Sequence, residues 1–298
     1  MHWNSTALFF VDTTLARRRL SFVLDLSSRV DVLVIQEAHG QEGSESLLRE
    51  RIRDTHVVHD FPGSSQAIGG IVFIVRRKIL ALCGSPVFDV LEPGRIVVMR
   101  CVELEHKLVV IGVHIDPHHS LQRKELLLQR MSTYLCSIQD GLCFICGDFN
   151  YEALGERSYN ATQQQFFESS SSERLGQAWN NLFGKLLEHH QPDFTRAQNG
   201  PYGLTFSRID RIYSNMPSWL VLQYDLRTTT HGRITDSDRL SDHIPVVLGI
   251  SRNDFSHTQT TPPIPMWVTK DTFFLIALSS EMNKVDFSTL NQQRRVIA

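Results

Sequence analysis

The sequence predicts an α/β domain in which two β-sheets pack face to face and helices flank them. Short apolar segments rich in β-branched residues recur through the first 250 residues, and amphipathic segments lie between some of them. Several of the strand-like segments follow each other directly, as antiparallel hairpins do. A purely parallel doubly wound sheet therefore fits this order poorly.

The individual elements follow from local patterns. A first amphipathic helix is predicted over residues 15–28, and the best helix is predicted over residues 120–138, with Ser120 as its N-cap. Residues 32–35 are an uninterrupted apolar and β-branched run, which predicts a strand buried on both faces. Further strands are predicted over residues 67–75, 96–102, 107–113, 142–146, 209–213 and 244–250.

Two parts of the chain depart from this pattern. Residues 151–205 are polar and irregular around a helical segment at 175–187, and nothing in them indicates a second core. From Ser251 onward the pattern degrades into a proline-containing stretch that can form neither a helix nor a central strand. We therefore predict one domain over residues 1–250 and a mobile tail or linker over residues 251–298.

The composition is that of an ordinary globular protein and excludes several classes. The 298 residues are 42% hydrophobic and 21% charged with a net charge of −2, which excludes a disordered chain and a global basic surface. Five cysteines, an odd number, favour a reducing intracellular location, nuclear or cytoplasmic. The apolar run at residues 273–278 is too short to span a bilayer, so we expect no membrane association.

Polar side chains gather at the ends of the predicted buried strands. Glu37 closes the strand at 32–35, while Asp148 and Asn150 follow the strand at 142–146. The two-residue alternation of an extended chain points Asp148 and Asn150 the same way. Equivalent places are occupied by His114 at a strand end, Asp210 inside Arg208-Ile209-Asp210-Arg211-Ile212, and Asp242 and His243 directly before the last strand.

Carboxylates, an amide and imidazoles at neighbouring strand ends suit metal-assisted hydrolysis of a phosphodiester. Mg²⁺ prefers a few carboxylate oxygens together with water and phosphate. A base must take a proton from the attacking water, and donors must stabilise the charge of the transition state. Each motif alone has a structural explanation, because Gly, Asp and Asn also favour turns, so the prediction rests on their joint order.

The ordered motifs span roughly residues 2–250. They are Trp3-Asn4, Gln36-Glu37, His114, Gly147-Asp148-Phe149-Asn150, the segment around Asp210, and Ser241-Asp242-His243. This set resembles the endonuclease/exonuclease/phosphatase superfamily, which includes pancreatic deoxyribonuclease and the apurinic endonucleases. The resemblance implies a four-layer α/β sandwich, with two mixed, mainly antiparallel sheets between outer helices. Residues 3–8, 36–40, 207–219 and 263–267 look most like the endonuclease domain of LINE-type retrotransposons from protists.

The resemblance also implies which residues hold the metal. By position, Glu37 would be the principal ligand of Mg²⁺, with Mn²⁺ as a substitute. Asn4 and Asp242 would assist it.

Five further residues would carry the chemistry according to the same resemblance. Asp148 would orient or deprotonate the attacking water, and Asn150 and His114 would contact the phosphate. His243 would stabilise the pentavalent transition state. Asp210 would fix the tautomer and the charge of His243.

The predicted activity is a Mg²⁺-dependent DNA endonuclease, a nickase of retrotransposon type, whose longer parent polyprotein would include a reverse transcriptase. Two alternatives stay open: a phosphodiesterase or phosphatase for a small or lipid substrate, and a catalytically dead relic that only binds nucleic acid.

Cys143 and Cys146 lie in an apolar strand and are interpreted as structural thiols. His189 is interpreted as exposed, and Arg95 as a weak candidate for contact with DNA phosphates.

Overall fold

The computed structural model describes residues 1–9, 14–40, 43–101, 103, 107–138, 141–153, 155–168, 173–217, 220–221, 224–235 and 240–252. The predicted tail lies outside the described residues from position 253 onward, and so do Ser218 and Trp219.

Six strands form the first sheet. They are β1 (His2–Asn4), β2 (Val32–Gln36), β3 (His56–Phe61), β4 (Ile71–Arg76), β15 (Tyr224–Thr230) and β16 (Val246–Arg252). Their order across the sheet is β15-β16-β1-β2-β4-β3. Only β1 and β2 run parallel among these neighbours, so the sheet is mixed and mainly antiparallel.

Six more strands form the second sheet. They are β5 (Val87–Glu92), β6 (Ile96–Cys101), β7 (Leu108–His114), β8 (Leu142–Asp148), β11 (Leu187–Glu188) and β14 (Asp210–Ser214). Their order is β11-β14-β8-β7-β6-β5, and β7 with β8 is the parallel pair. The segments predicted from apolar periodicity therefore supply most of both sheets.

Five helices occur in the described residues: α1 (Thr14–Arg29), α2 (Ser46–Ile52), α3 (Arg77–Cys83), α4 (Leu121–Ser137) and α5 (Glu173–Phe183). The predicted N-cap is confirmed, because the Ser120 side chain accepts a hydrogen bond from the backbone N–H of Arg123 at the start of α4. Among the residues that the structure describes, no helix is long and apolar enough to cross a membrane.

The core is divided into layers. Val34, Phe73, Met99 and Ile212 belong to the apolar cluster that fills the space between the two sheets. A second cluster joins α1 and α2 to the outer face of the first sheet, and a third joins α4 and α5 to the outer face of the second. The order helix, sheet, sheet, helix confirms the predicted four-layer α/β sandwich.

A third, smaller sheet corrects the expectation that residues 151–205 are irregular. Its strands are β9 (Arg157–Asn160), β10 (Gln165–Glu168), β12 (Arg196–Gly200) and β13 (Gly203–Ser207), in the order β10-β9-β13-β12. These strands are short and contain Gly and Asn residues, which have low β propensity. Antiparallel pairing and a small apolar cluster of Ala197, Phe206, Ile234 and Ile244 hold them in place, and these apolar residues are too sparse along the strands for periodicity to reveal them.

Candidate active site

Strand ends in the second sheet place three predicted residues side by side. His114, the last residue of β7, is in register with Asp148, the last residue of β8. Asp210, the first residue of the antiparallel strand β14, is in register with Asp148 from the other side. The three side chains therefore lie on three neighbouring strands, at the same end of those strands.

The first sheet contributes the remaining predicted residues. Asn4 ends β1 beside Gln36, the last residue of β2, and Glu37 follows directly. The Asn4 amide donates a hydrogen bond of 2.9 Å to Asp148 of the second sheet. His243 joins the same group through Asp210, so both sheets meet at the site.

His243 lies between carboxylates and is protonated at neutral pH. Its Nδ1 is 2.8 Å from Oδ2 of Asp210, and its Nε2 lies 3.6 Å from Oδ2 of Asp148 and 3.8 Å from Oδ2 of Asp242. Burial opposes the charged form, but the neighbouring carboxylates, Asp210 above all, raise the pKa of His243 to about 9. An imidazolium is therefore held within the site, as the predicted pairing of Asp210 with His243 requires.

Asp148 is a buried carboxylate held by amide donors. Oδ2 accepts hydrogen bonds from the side-chain amides of Asn4 at 2.9 Å and Asn150 at 3.0 Å, and Oδ1 accepts one from the Asn150 backbone at 2.9 Å. Burial raises the pKa of Asp148, although the charge of His243 opposes this shift. A carboxylate with a raised pKa is a stronger base toward water.

The Asn150 amide is fully engaged in this arrangement. Its Nδ2 donates to the Ile115 carbonyl at 2.9 Å as well as to Asp148, and its Oδ1 accepts from Arg196 at 3.1 Å. One amide hydrogen thus orients the Asp148 carboxylate, and the other anchors Asn150 to the Ile115 carbonyl. A contact between Asn150 and a phosphate stays a prediction. Such a contact would require the Asn150 side chain to break one of these hydrogen bonds.

Glu37 and His114 form a second unit at the site. Nε2 of His114 is 3.1 Å from Glu37 Oε1, and Nδ1 is 2.7 Å from the Arg95 guanidinium. Because arginine can only donate, Nδ1 accepts and Nε2 donates to Glu37. Burial of Glu37 opposes its ionisation, but the His114 hydrogen bond and nearby imidazoles lower the pKa of Glu37 to about 2.

Arg95 is buried, and its environment corrects the interpretation of this residue as a contact for DNA. The guanidinium bonds to His114 and, at 2.7 Å, to Asp116. Its role in the structure is therefore to orient His114. His189 is likewise buried, against Ser214, and is not the exposed histidine that the sequence suggested.

Asp242, like Glu37, is a carboxylate that is partly exposed to solvent. Oδ1 accepts a hydrogen bond of 2.9 Å from the Thr6 hydroxyl, and Oδ2 is 3.4 Å from the Arg196 guanidinium. Burial opposes ionisation, but His243, Thr6 and Arg196 together lower the pKa of Asp242. Asp242 is therefore ionised at neutral pH, as Glu37 is.

The backbone at the site is strained. Glu37 has φ of 50° and Asn150 has φ of 43°, in the left-handed region that residues other than Gly and Asn rarely adopt. Such positions persist only where the surrounding structure over-determines them, and they cluster at functional sites. Glu37 directly follows β2, and Asn150 lies two residues after the end of β8.

Residues 195–197 were missed by the sequence analysis although they build the site. The Ala197 N–H donates to the Asp242 carbonyl, and the Ile244 N–H donates to the Thr195 carbonyl, which fixes the loop that carries His243. The Thr195 hydroxyl accepts from the backbone N–H of Asp210 at 3.1 Å. No motif marks these residues, and only the register of β12 brings them here.

The chemistry of the donor set fits a hard divalent cation. Among the described residues, the compact acidic and imidazole cluster is Asp148, Asp210 and His243, with ligand atoms within 4.8 Å of one another. A protonated imidazole cannot ligate a metal, which favours a catalytic role for this cluster. Glu37 and Asp242 have side-chain exposures of 26% and 36%, and these ionised oxygens are the ones accessible to an ion.

Comparison with known proteins assigns the chain to a family. The model of the Endonuclease/Exonuclease/phosphatase family matches residues 12–243. The chain belongs to this family. It is a metal-dependent hydrolase that acts on phosphodiester bonds, and its enzymatic class is as the sequence predicted. No curated protein matches the chain.

Solved structures share its fold at low sequence identity. The AP endonuclease LMAP from Leishmania major has a TM-score of 0.61 and 13% identity, over 84% of this chain and 86% of that one. The catalytic domain of Xenopus laevis APE2 has a TM-score of 0.58 and 18% identity, over 84% and 90%. TDP2 of D. rerio, complexed with a single-stranded DNA product, has a TM-score of 0.55 and 14% identity, over 82% and 95%.

Proposed function

We propose that this family member is a Mg²⁺-dependent DNA endonuclease of retrotransposon type that nicks one strand. The observation that carries the proposal is the division of the site into two units. Asp210, His243 and Asp148 form a buried unit, whereas Glu37 is accessible beside His114. The first unit suits proton transfer and charge stabilisation, and the second suits a metal and a phosphate.

The buried unit has the groups that the reaction needs. Asp148 accepts a proton from water as the water oxygen bonds to phosphorus and the bond to the leaving oxygen breaks. The His243 imidazolium, held by Asp210, donates a hydrogen bond to the phosphate oxygen that gains charge. Mg²⁺ held by Glu37, with Asn4 and Asp242, would neutralise charge on the phosphate and on the leaving oxygen.

DNA as the substrate is supported by the third sheet. Arg196 at the start of β12 contacts Asn150 and Asp242, so the β12–β13 hairpin starts at the site. Its turn carries Tyr202, which is 75% exposed, and Phe166 of the neighbouring β9–β10 hairpin is 62% exposed. Exposed rings on strands that lead away from a hydrolytic site suit stacking on the bases of a bound strand, which contributes about 1–3 kcal/mol per base.

A nicking assay on supercoiled plasmid tests the proposal. We expect relaxed circles with Mg²⁺ and none with EDTA. Tyr202→Ala should weaken plasmid cleavage but leave hydrolysis of bis(p-nitrophenyl) phosphate unchanged, and Leu82→Ala, at another exposed apolar residue, is the matched control. Binding of DNA without Mg²⁺-dependent cleavage would favour the dead relic. Cleavage of the small diester or of a phospholipid alone would favour the small-substrate enzyme.

The retrotransposon type rests on the resemblance of residues 3–8, 36–40 and 207–219, and on the expected polymerase partner. A reverse transcriptase extends only a 3′-hydroxyl. We therefore expect the nick to leave a 3′-hydroxyl and a 5′-phosphate, which primer extension from the nicked plasmid detects. Ends that a polymerase cannot extend would contradict this part of the proposal.

A further inference from the structure

Thr6, which lies two residues after Asn4, has a strained backbone beside the site. Its φ is 48°, in the left-handed region, where a β-branched residue is a genuine outlier. Ala7, the next residue, has φ of 75°. Conformations of this kind persist only where the surrounding contacts over-determine them, so the contacts of Thr6 indicate what the strain serves.

The backbone at Thr6 is fixed to the segment that carries Glu37. The Ala7 N–H donates to the Glu37 carbonyl at 2.7 Å, and the Ala7 carbonyl accepts from the Arg19 guanidinium at 3.2 Å. The N–H of Thr6 itself donates to the side-chain oxygen of Asn4 at 3.1 Å. The strained residue therefore orients the Asn4 amide through its own backbone.

The Thr6 hydroxyl makes a second contact with the site. Oγ1 lies 2.9 Å from Oδ1 of Asp242 and 2.9 Å from Oγ of Ser241. Because a carboxylate can only accept, the hydroxyl hydrogen of Thr6 points to Asp242. This bond fixes Oδ1, so that Oδ2 is the oxygen on the side of His243, 3.8 Å from Nε2.

Both contacts leave the capacity that a metal ligand needs. The side-chain oxygen of Asn4 has two lone pairs, and the Thr6 N–H uses one of them. The hydroxyl bonds to Oδ1 of Asp242 and leaves Oδ2 to the site. Thr6 can therefore hold Asn4 and Asp242 in place without competing with an ion for them.

We propose that Thr6 is a positioning residue, which aims both of the side chains that would assist Glu37 in holding the metal. This inference rests on the proposed function for the identity of those ligands. The Thr6 N–H orients Asn4 and the Thr6 hydroxyl orients Asp242, and the left-handed backbone is held because one residue makes both bonds. Loss of such an outer partner typically lowers metal affinity or activity about 10- to 100-fold.

The test removes the hydroxyl from the full chain without changing its shape. Thr6→Val keeps the β-branch and the backbone N–H, and we expect the Kd for Mn²⁺, measured by electron paramagnetic resonance of the free ion, to rise about tenfold. Thr6→Ser keeps the hydroxyl and should keep the parent Kd. Thr6→Gly also removes the hydroxyl but adopts a positive φ without strain, so it should show the same rise even if Thr6→Val folds poorly.

The chain offers a matched control for the loss of a threonine–aspartate bond. The Thr230 hydroxyl donates to Oδ2 of Asp193 at 2.8 Å, and we assign neither residue to the site. Thr230→Val should therefore leave the Kd for Mn²⁺ unchanged. In an Asp242→Ala background, Thr6→Val should add little further loss, because the hydroxyl no longer has a carboxylate to orient.

Plasmid nicking gives a second readout and separates the inference from the proposed function. Raising the Mg²⁺ concentration should restore nicking by Thr6→Val, which a defect in the chemical step would not allow. If the parent protein binds Mn²⁺ but nicks no DNA, the proposed function fails while the Kd values still decide the inference. An unchanged Kd in Thr6→Val and Thr6→Gly, an equal rise in Thr230→Val, or full additivity with Asp242→Ala would overturn the positioning role. A parent protein that binds no Mn²⁺ would overturn both.

Discussion

The pairing of His243 with Asp210 gives a quantitative prediction for Asp210→Asn. The pKa of His243 is raised to about 9 from an ordinary 6.5, and its nearest carboxylate oxygen belongs to Asp210, at 2.8 Å. Each pKa unit corresponds to about 1.36 kcal/mol, so the environment of His243, in which the carboxylates outweigh the opposing effect of burial, favours the imidazolium by about 3 kcal/mol net. The amide introduced by this substitution would keep a hydrogen bond but no charge, while Asp148 and Asp242 remain nearby.

We therefore expect Asp210→Asn to lower the pKa of His243 by about one to two units. NMR titration of the imidazole resonances measures this, and His243→Gln assigns them among the 13 histidines. Asp242→Asn is the control, because its oxygen lies 3.8 Å from Nε2 and should matter less. A pKa that stays near 9 in Asp210→Asn would refute the pairing.

The same shift predicts how stability depends on pH. The folded protein holds the proton of His243 more tightly than the unfolded chain does. The resulting stabilisation is complete below pH 6.5 and is lost as the pH rises through about 9. The free energy of unfolding of Asp210→Asn, measured by urea titration, should therefore fall furthest below that of the parent protein near pH 6, and approach it above pH 9. A difference that is independent of pH would show that Asp210 acts only through packing.

Three further perturbations have defined outcomes. Glu37→Gln keeps the shape but removes the charge that binds a hard cation, so Mg²⁺-dependent nicking should fall on the order of 10²- to 10³-fold with an unchanged circular dichroism spectrum; near-full activity would exclude Glu37 as the main ligand. Burial raises the pKa of Asp60 to about 7, so the ionised form destabilises the fold as the pH rises from 3.8 through 7. Asp60→Asn should raise the melting temperature at pH 8 and have little effect at pH 4, and equal effects at both would contradict this. Ser120→Ala removes the cap of α4 and should cost about 1 kcal/mol in urea unfolding, whereas Ser120→Asp should not.

The parts of the fold that the sequence predicted are those whose stability comes from burial. Apolar runs such as 142–146 must lie between layers, and such runs became the central strands β2, β7 and β8. The edge strands β3 and β5 mix polar and apolar residues without a regular alternation, and the strands of the third sheet are only four or five residues long. Those elements depend on pairing with strands that are already in place, which a local pattern does not encode.

The same distinction applies to the site. Residues that directly follow a buried strand, such as Glu37 and Asp148, could be found because the strand signal located them. Arg196, Thr6 and Arg95 hold Asp242 and His114, but each comes from a different element and carries no motif. Long side chains that reach across elements are decided by tertiary packing, so the residues that support the site emerge only from the structure.

The charge of the assembled site explains why such a structure needs a cation. Glu37, Asp148, Asp210 and Asp242 contribute four formal negative charges, whereas the two cations in direct contact with them, His243 and Arg196, contribute two positive ones. Arg95 does not alter this balance, because it is paired with Asp116. A phosphodiester carries a further negative charge and would be repelled from a site that already has an excess of two. A divalent cation held beside the accessible carboxylate of Glu37, as we propose, would remove that excess, so binding of the substrate and the chemistry should both depend on the metal.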